Sequence, residues 1–251
     1  TAVRVPTDLE HNFEMQPETI EKLITPKTKA LMINTPNNPT GSVMDEETMR
    51  QIAEIAVKHD ILVISDDVYN TLLYDGAKNT CIAAFPGMKE RTAVVNSLSK
   101  SYAMTGWRIG FVAGPAELVS AMTKCQENFN ACANAPGQYA GTVALAHPEL
   151  CEELRKVFEN RRRLLLDGLK GIKGIESNDP KGAFYVFADI SSFGLSSADF
   201  CNRLLDEQKV VCIPGSAFGA CGEGFIRIAY TCSDSDLVEA VARIKTFCES
   251  L

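Results

Sequence analysis

The sequence has 251 residues, 45% of them hydrophobic, which suits a globular chain of one large or two smaller domains and excludes disorder. Its formal charge of -7 and lack of a long basic run argue against nucleic acid or an anionic membrane surface as a partner, and no apolar stretch approaches a membrane span. Nine cysteines without a C-x-x-C pair and three scattered histidines point to reduced thiols in a cytoplasmic protein and to no zinc site.

Thr1 leads at once into a strand-like run, Ala2 to Val5, as a piece of a longer chain would begin. The apolar run Ala30 to Ile33 ends in NTPNNPTG, Asn34 to Gly41, whose prolines, glycine and asparagines predict a rigid loop. Asp45 is placed to cap a helix, with Glu46 and Glu47 at its positive end. Met49, Ile52, Ala53 and Ala56 follow at the spacing of one buried helical face. Ile61 to Ile64 is continuously apolar and ends at Ser65-Asp66-Asp67, and a third such run starts at Thr92 and ends at Ser97. Short unalternating strands between helices predict a mostly parallel sheet covered on both faces, with sites beyond the carboxyl ends of its strands. Asn38, Asp66 with Tyr69, and Lys100 all follow such ends.

The stretch SLSKSYAMTGWRIG, Ser97 to Gly110, places Lys100 in a small polar loop and Arg108 at the head of another apolar run, Ile109 to Ala113. Beyond Gly114-Pro115 the pattern is helical from Ala116 to about Asn128, then small residues from Ala131 to Gly137, then helical again to Ala146. A charged helix from Pro148 to Leu169 carries Arg161, Arg162 and Arg163, which read as a solvated face. Strands are predicted at Gly182 to Ile190, Val210 to Ile213 and Phe225 to Ala229, and helices at Ala198 to Gln208 and Ser235 to Phe247. Residues 1–150 and 151–251 divide as an α/β part and a smaller α+β part. Phe184 and Tyr185 either wall a pocket or pack in a core.

A lysine just past a buried strand, with two serines before it and an arginine after it, suits an aldehyde cofactor carried as a Schiff base beside a bound phosphate. Ser97, Ser99, Lys100, Gly106, Arg108 and Gly110 together resemble the lysine signature of the class I/II aminotransferases, enzymes of fold type I that depend on pyridoxal 5'-phosphate. The resemblance runs from about residue 2 to the C-terminus and implies part of that α/β fold: the remainder of a cofactor-binding large domain, then a small C-terminal domain. It implies Lys100 as the imine lysine and the base for the α-proton, and Asp66, three residues before Tyr69, as partner of the pyridine nitrogen. Tyr69 and Asn38 would hold the ring hydroxyl, and Ser97, Ser99 and Arg108 the phosphate. Asn38 and Arg227, in FIRIAYT, would bind substrate, the arginine gripping its carboxylate. Strand alternation turns Asp67, the neighbouring acid, elsewhere.

The family's chemistry moves an amino group between an amino acid and a 2-oxo acid, here with aspartate as the first substrate to test and aromatic or alanine-type substrates next. Its members are homodimers. The glycine-containing phosphate turn and the aromatic residue that stacks on the ring are not found before Asn38, so this chain alone is expected to be weak or inactive, with apolar sheet surface exposed. A carbon–sulfur β-lyase on the same scaffold, or a non-catalytic aminotransferase-like module, are the alternatives.

Overall fold

The computed structural model describes all 251 residues, Thr1–Leu251. They divide into two compact units. The first comprises Thr1–Val5, Met15–Pro36 and Val43–Arg155; the second comprises Pro6–Glu14, Asn37–Ser42 and Lys156–Leu251.

Unit 1 is built on a sheet of β1 (Ala30–Asn34), β2 (Leu62–Asp66), β3 (Thr92–Ser97) and β4 (Gly110–Ala113), in that order. The first three strands are parallel and β4 runs antiparallel to β3. Two helices precede and link them, α1 (Pro17–Leu23) and α2 (Glu46–Lys58). The start of α2 is fixed by Asp45, whose carboxylate accepts the Thr48 backbone N–H at 2.7 Å, and two glutamates in its first turn favour the dipole. Met49, Ile52, Ala53 and Ala56 are buried, in one core with Ile33 of β1 and Val63 of β2. Each large side chain of this kind contributes about 1.5–3 kcal/mol by leaving water.

The opposite face of β1 and β2 carries Met32, Leu62 and Ile64, which are 64%, 44% and 37% exposed. Helical cover expected on both faces is thus found on one face of these strands, and the exposed apolar surface expected beside it is found on the other. The run Ala2 to Val5 forms no strand.

After β3 come α3 (Leu98–Ser101), α4 (Ala116–Asn130) and α5 (Ala135–Leu145). No residue of α4 is buried. In α5, Gly137 and Gly141 let the helix come close to Leu98 and Ile109: a Cβ at Gly137 would stand 2.9 Å from Ile109 Cδ1, and one at Gly141 would stand 2.8 Å from Leu98 Cδ1. The small residues after Ala131 therefore serve to back the segment that carries Lys100 and Arg108.

Helix α6 (Glu149–Lys170) belongs to unit 1 as far as Arg155 and to unit 2 from Lys156. Unit 2 contains an antiparallel sheet, β5 (Glu176–Ser177), β6 (Tyr185–Asp189), β8 (Phe225–Ala229) and β7 (Ile213–Pro214) in spatial order, with α7 (Ser197–Gln208) and α8 (Asp234–Glu249). Phe200, Leu204, Val186, Ile226, Ile244 and Phe247 are buried. Phe187 and Phe225 stack at 5.0 Å, and Phe13 meets both edge-on at 5.4 Å.

Two readings change here. Arg162 is not on a solvated face: it is buried, donates Nε to the Pro180 carbonyl at 2.5 Å and pairs with Asp179. The run Val210 to Ile213 pairs only at Ile213–Pro214, with Val210 and Cys212 buried and Val211 71% exposed. Alternation there reflects packing without a ladder. All nine cysteine thiols are free, and no helix is long and apolar enough to cross a membrane.

Candidate active site

In unit 1 the candidate residues gather at the carboxyl ends of β2 and β3. Asp66 is the last residue of β2 and pairs in register with Val95 of β3, so the chain from Ser97 to Lys100 begins on the neighbouring strand two residues further on. The Asp66 carbonyl accepts Asn34 Nδ2 at 2.9 Å, which ties the end of β2 to that of β1. Its carboxylate accepts the Val68 N–H at 3.3 Å, and half-burial raises its pKa above the ordinary carboxylate value by desolvation.

Asp67 is the more buried acid. It accepts Ser65 Oγ at 2.6 Å and a side-chain hydrogen bond from Asn79, yet desolvation still raises its pKa. The alternation that separates the two acids is therefore present: Asp66 is half-exposed at the strand end and Asp67 is locked inside. Tyr69, on the turn that follows, is 3% exposed.

Lys100 lies half-buried in α3, a single helical turn immediately after β3. Ser97 caps that turn: its Oγ accepts the Ser99 N–H at 3.0 Å and lies 2.9 Å from both Ser99 Oγ and the Ile109 carbonyl. The two serines, placed in one phosphate-binding set by sequence, are thus brought together, with the Ser97 hydroxyl engaged in holding the turn. Arg108 is exposed, adopts left-handed backbone at φ 55° and donates Nη1 to the Thr105 carbonyl at 3.0 Å.

Unit 2 holds the other two candidates, Asn38 and Arg227. The loop Asn37–Ser42 is folded on itself: Asn37 Oδ1 accepts Thr40 Oγ1 at 3.0 Å, and the Gly41 N–H reaches the Asn37 carbonyl at 2.8 Å. It docks on the entry to β6, where Gly182 N–H donates to the Gly41 carbonyl at 2.9 Å and Asn178 Nδ2 to the Thr40 carbonyl at 2.7 Å. Gly41 is required for this. Its φ is +67°, and a Cβ would fall 2.5 Å from Pro180 Cβ and 2.9 Å from the carbonyl oxygens of Gly182 and Tyr185.

The docked loop brings Asn38 to Arg227 across 189 residues of sequence, with Arg227 Nη1 donating to Asn38 Oδ1 at 2.8 Å. Arg227 projects from β8, where it pairs in register with Phe187 of β6. Its guanidinium carbon lies 4.5 Å from the centre of the Tyr185 ring and 5.0 Å from that of Phe218. Sequence left Tyr185 open between pocket and core and passed over Phe218; the aromatic in PGSAFG, close to an arginine-bearing strand, was the available signal.

The model of one protein family, aminotransferase class I and II, matches residues 1–244. The chain belongs to that family. The aminotransferases of this family are pyridoxal-phosphate enzymes of fold type I. Among relatives, the chain is 45% identical over 246 residues to aromatic-amino-acid aminotransferase 2 of Thermococcus litoralis, covering 97% of this chain and 63% of that protein. It is 44% identical to an aspartate aminotransferase of Pyrococcus abyssi, with the same coverage of each. The solved aromatic aminotransferase of Pyrococcus horikoshii superposes with a TM-score of 0.96 at 42% identity, over 99% of this chain and 67% of that one. The chain spans 63% of the length of the two curated relatives.

Proposed function

We propose that this chain carries the lysine-bearing cofactor site and the carboxylate-binding arginine of an aminotransferase, acting between an amino acid and a 2-oxo acid. The observation that carries this reading is the placement of Asp66 at the carboxyl end of one parallel strand and of Lys100 in the turn just past the end of its neighbour. The residues of unit 1 fit pyridoxal phosphate by their chemistry: an acid at a strand end, a primary amine, two neighbouring hydroxyls and a guanidinium. When bound, the cofactor supplies a carbonyl carbon that accepts an amine and a ring that draws electrons away from it.

The protein's part divides by residue. Asp66 would set its carboxylate against the ring nitrogen and keep that nitrogen protonated. Tyr69 and Asn38 donate to the ring oxygen. Ser99 and Arg108 bind phosphate, the arginine through its planar fork, and Ser97 adds its hydroxyl while capping the turn. Lys100 Nζ takes the α-proton of the amino acid and returns it on the other side of the reaction. Arg227 binds the α-carboxylate, aligned by Asn38.

We infer residues 1–150 as the cofactor-binding large domain and 151–251 as the small domain. Aspartate is the first substrate to test and an aromatic amino acid the second, the specificities named for the two relatives. The exposed face of β1 and β2 and the coverage of 63% of the relatives support weak turnover by this chain by itself and a homodimer for the whole protein. The test is a coupled assay of L-aspartate with 2-oxoglutarate, alongside pyruvate release from a cysteine conjugate. Lysine-dependent glutamate formation is expected. Pyruvate release without it would make the chain an eliminating enzyme instead.

A further inference from the structure

Arg227 is a half-buried cation with little to compensate its charge. It forms no ion pair; its contacts are one hydrogen bond to the neutral Asn38 and the rings of Tyr185 and Phe218, and its buried Nε has no hydrogen-bond partner. An arginine that merely braces a sheet is expected to meet a carboxylate or carbonyls, as Arg162 does with Asp179 and Pro180 in the same unit. Aromatic faces attract a guanidinium through their quadrupole without accepting its N–H groups in the plane and without cancelling its charge. The contact therefore fixes the side chain while leaving its edge and its full charge for an anion.

The rings are themselves fixed. Tyr185 is the first residue of β6 and 6% exposed, and its carbonyl lies against Gly41 of the loop that presents Asn38. Phe218 closes a short turn after β7 and meets Phe187 edge-on at 6.1 Å, within the aromatic group that includes Phe225 and Phe13.

We propose that Tyr185 and Phe218 are positioning residues for Arg227, setting its guanidinium to receive a planar carboxylate. This rests on the reading of Arg227 as the carboxylate ligand and extends it to specificity. A ligand that offers a charged, two-oxygen acceptor is selected over the corresponding amide, which has one acceptor oxygen and no charge.

The test uses the chain loaded with pyridoxal phosphate, with 2-oxoglutarate as the probe followed by calorimetry and cofactor affinity followed by absorbance. Phe218→Leu and Tyr185→Leu keep apolar volume but lose the ring, and each is expected to weaken 2-oxoglutarate binding roughly 2- to 30-fold, the range of one desolvated cation–π contact. Tyr185→Phe keeps the ring and restores wild-type binding, and cofactor affinity is unchanged throughout. Arg227→Met abolishes 2-oxoglutarate binding. Wild-type 2-oxoglutarate binding by both leucine variants, with Arg227→Met inactive as a binder, overturns the positioning role and leaves the arginine's role standing. Equal loss of cofactor and 2-oxoglutarate would make the rings structural and also overturns it; Phe218, only half-buried, is the variant least prone to unfold. Wild-type binding by Arg227→Met, or none by the unsubstituted chain, overturns the reading of the arginine itself.

Discussion

Two arginines are assigned to two anions, and their surroundings differ. In unit 2, Arg227 is held by Asn38 and two aromatic rings, on a strand whose neighbours in the core are fully packed. In unit 1, Arg108 is exposed, sits in left-handed backbone and reaches only the carbonyl of Thr105 three residues back. The arginine proposed for the carboxylate is thus held by three neighbours, whereas the one proposed for the phosphate has a single backbone contact. The same contrast holds for the scaffolds: unit 2 buries β6 almost throughout, while the β1–β2 face of unit 1 leaves Met32, Leu62 and Ile64 in solvent. The contacts that orient Arg227 all lie within unit 2, whereas Arg108 leads into β4, an edge strand of its sheet.

The largest effect is expected where the chemistry itself resides. Lys100→Ala should lower transamination by about 10²–10⁴-fold, the range for a lost general base, with little change in the unfolding midpoint. A steady-state assay beside a urea titration checks it, and retained turnover would break the assignment of unit 1 as the reacting side.

Next is the hinge of the carboxylate side. Gly41→Ala forces an L side chain into φ +67° and against Pro180, and should destabilise unit 2 by about 1–3 kcal/mol while weakening 2-oxo acid binding through Asn38. Denaturant unfolding followed by fluorescence reads the first effect and calorimetry the second. Asp45→Ala, which removes the cap of α2, is expected to cost about 1 kcal/mol in unit 1 and to leave 2-oxo acid affinity unaltered.

The smallest effect concerns the buried acid. Burial raises the folded-state pKa of Asp67, so its favourable contribution is complete below the unfolded value of about 3.9 and is lost as pH rises through the folded value. Asp67→Asn lacks that titration. Its stability relative to wild type should therefore improve steadily as pH is raised from about 4, as measured by thermal unfolding across the range. The neighbouring Asp66 charge adds to the rise at Asp67, a repulsion that Asp67→Asn removes.

Much of this was legible in the sequence because it is local. The cap at Asp45, the buried stripe from Met49 to Ala56, and β8 at Phe225–Ala229 follow from side-chain chemistry within one turn or one strand. What was not legible depends on contacts distant in sequence. Arg162 looked like part of a charged surface until Asp179 and Pro180 were found beside it, and the apolar run from Val210 reads as a strand although no partner strand reaches Val210 to Cys212. The site divides the same way. The lysine segment was legible through its resemblance to the family's signature, whereas the rings over Arg227 come from segments near residues 185 and 218 that only the fold of unit 2 brings together.

Lys100 is the residue proposed to carry the cofactor. That role is tested most directly by incubating the chain with pyridoxal phosphate, reducing with borohydride, and mapping the modified lysine by peptide mass spectrometry. One dominant modified peptide is expected, containing Lys100, whose label is lost in Lys100→Ala. Label spread over exposed lysines such as Lys58 and Lys170, unaffected by that substitution, would contradict it.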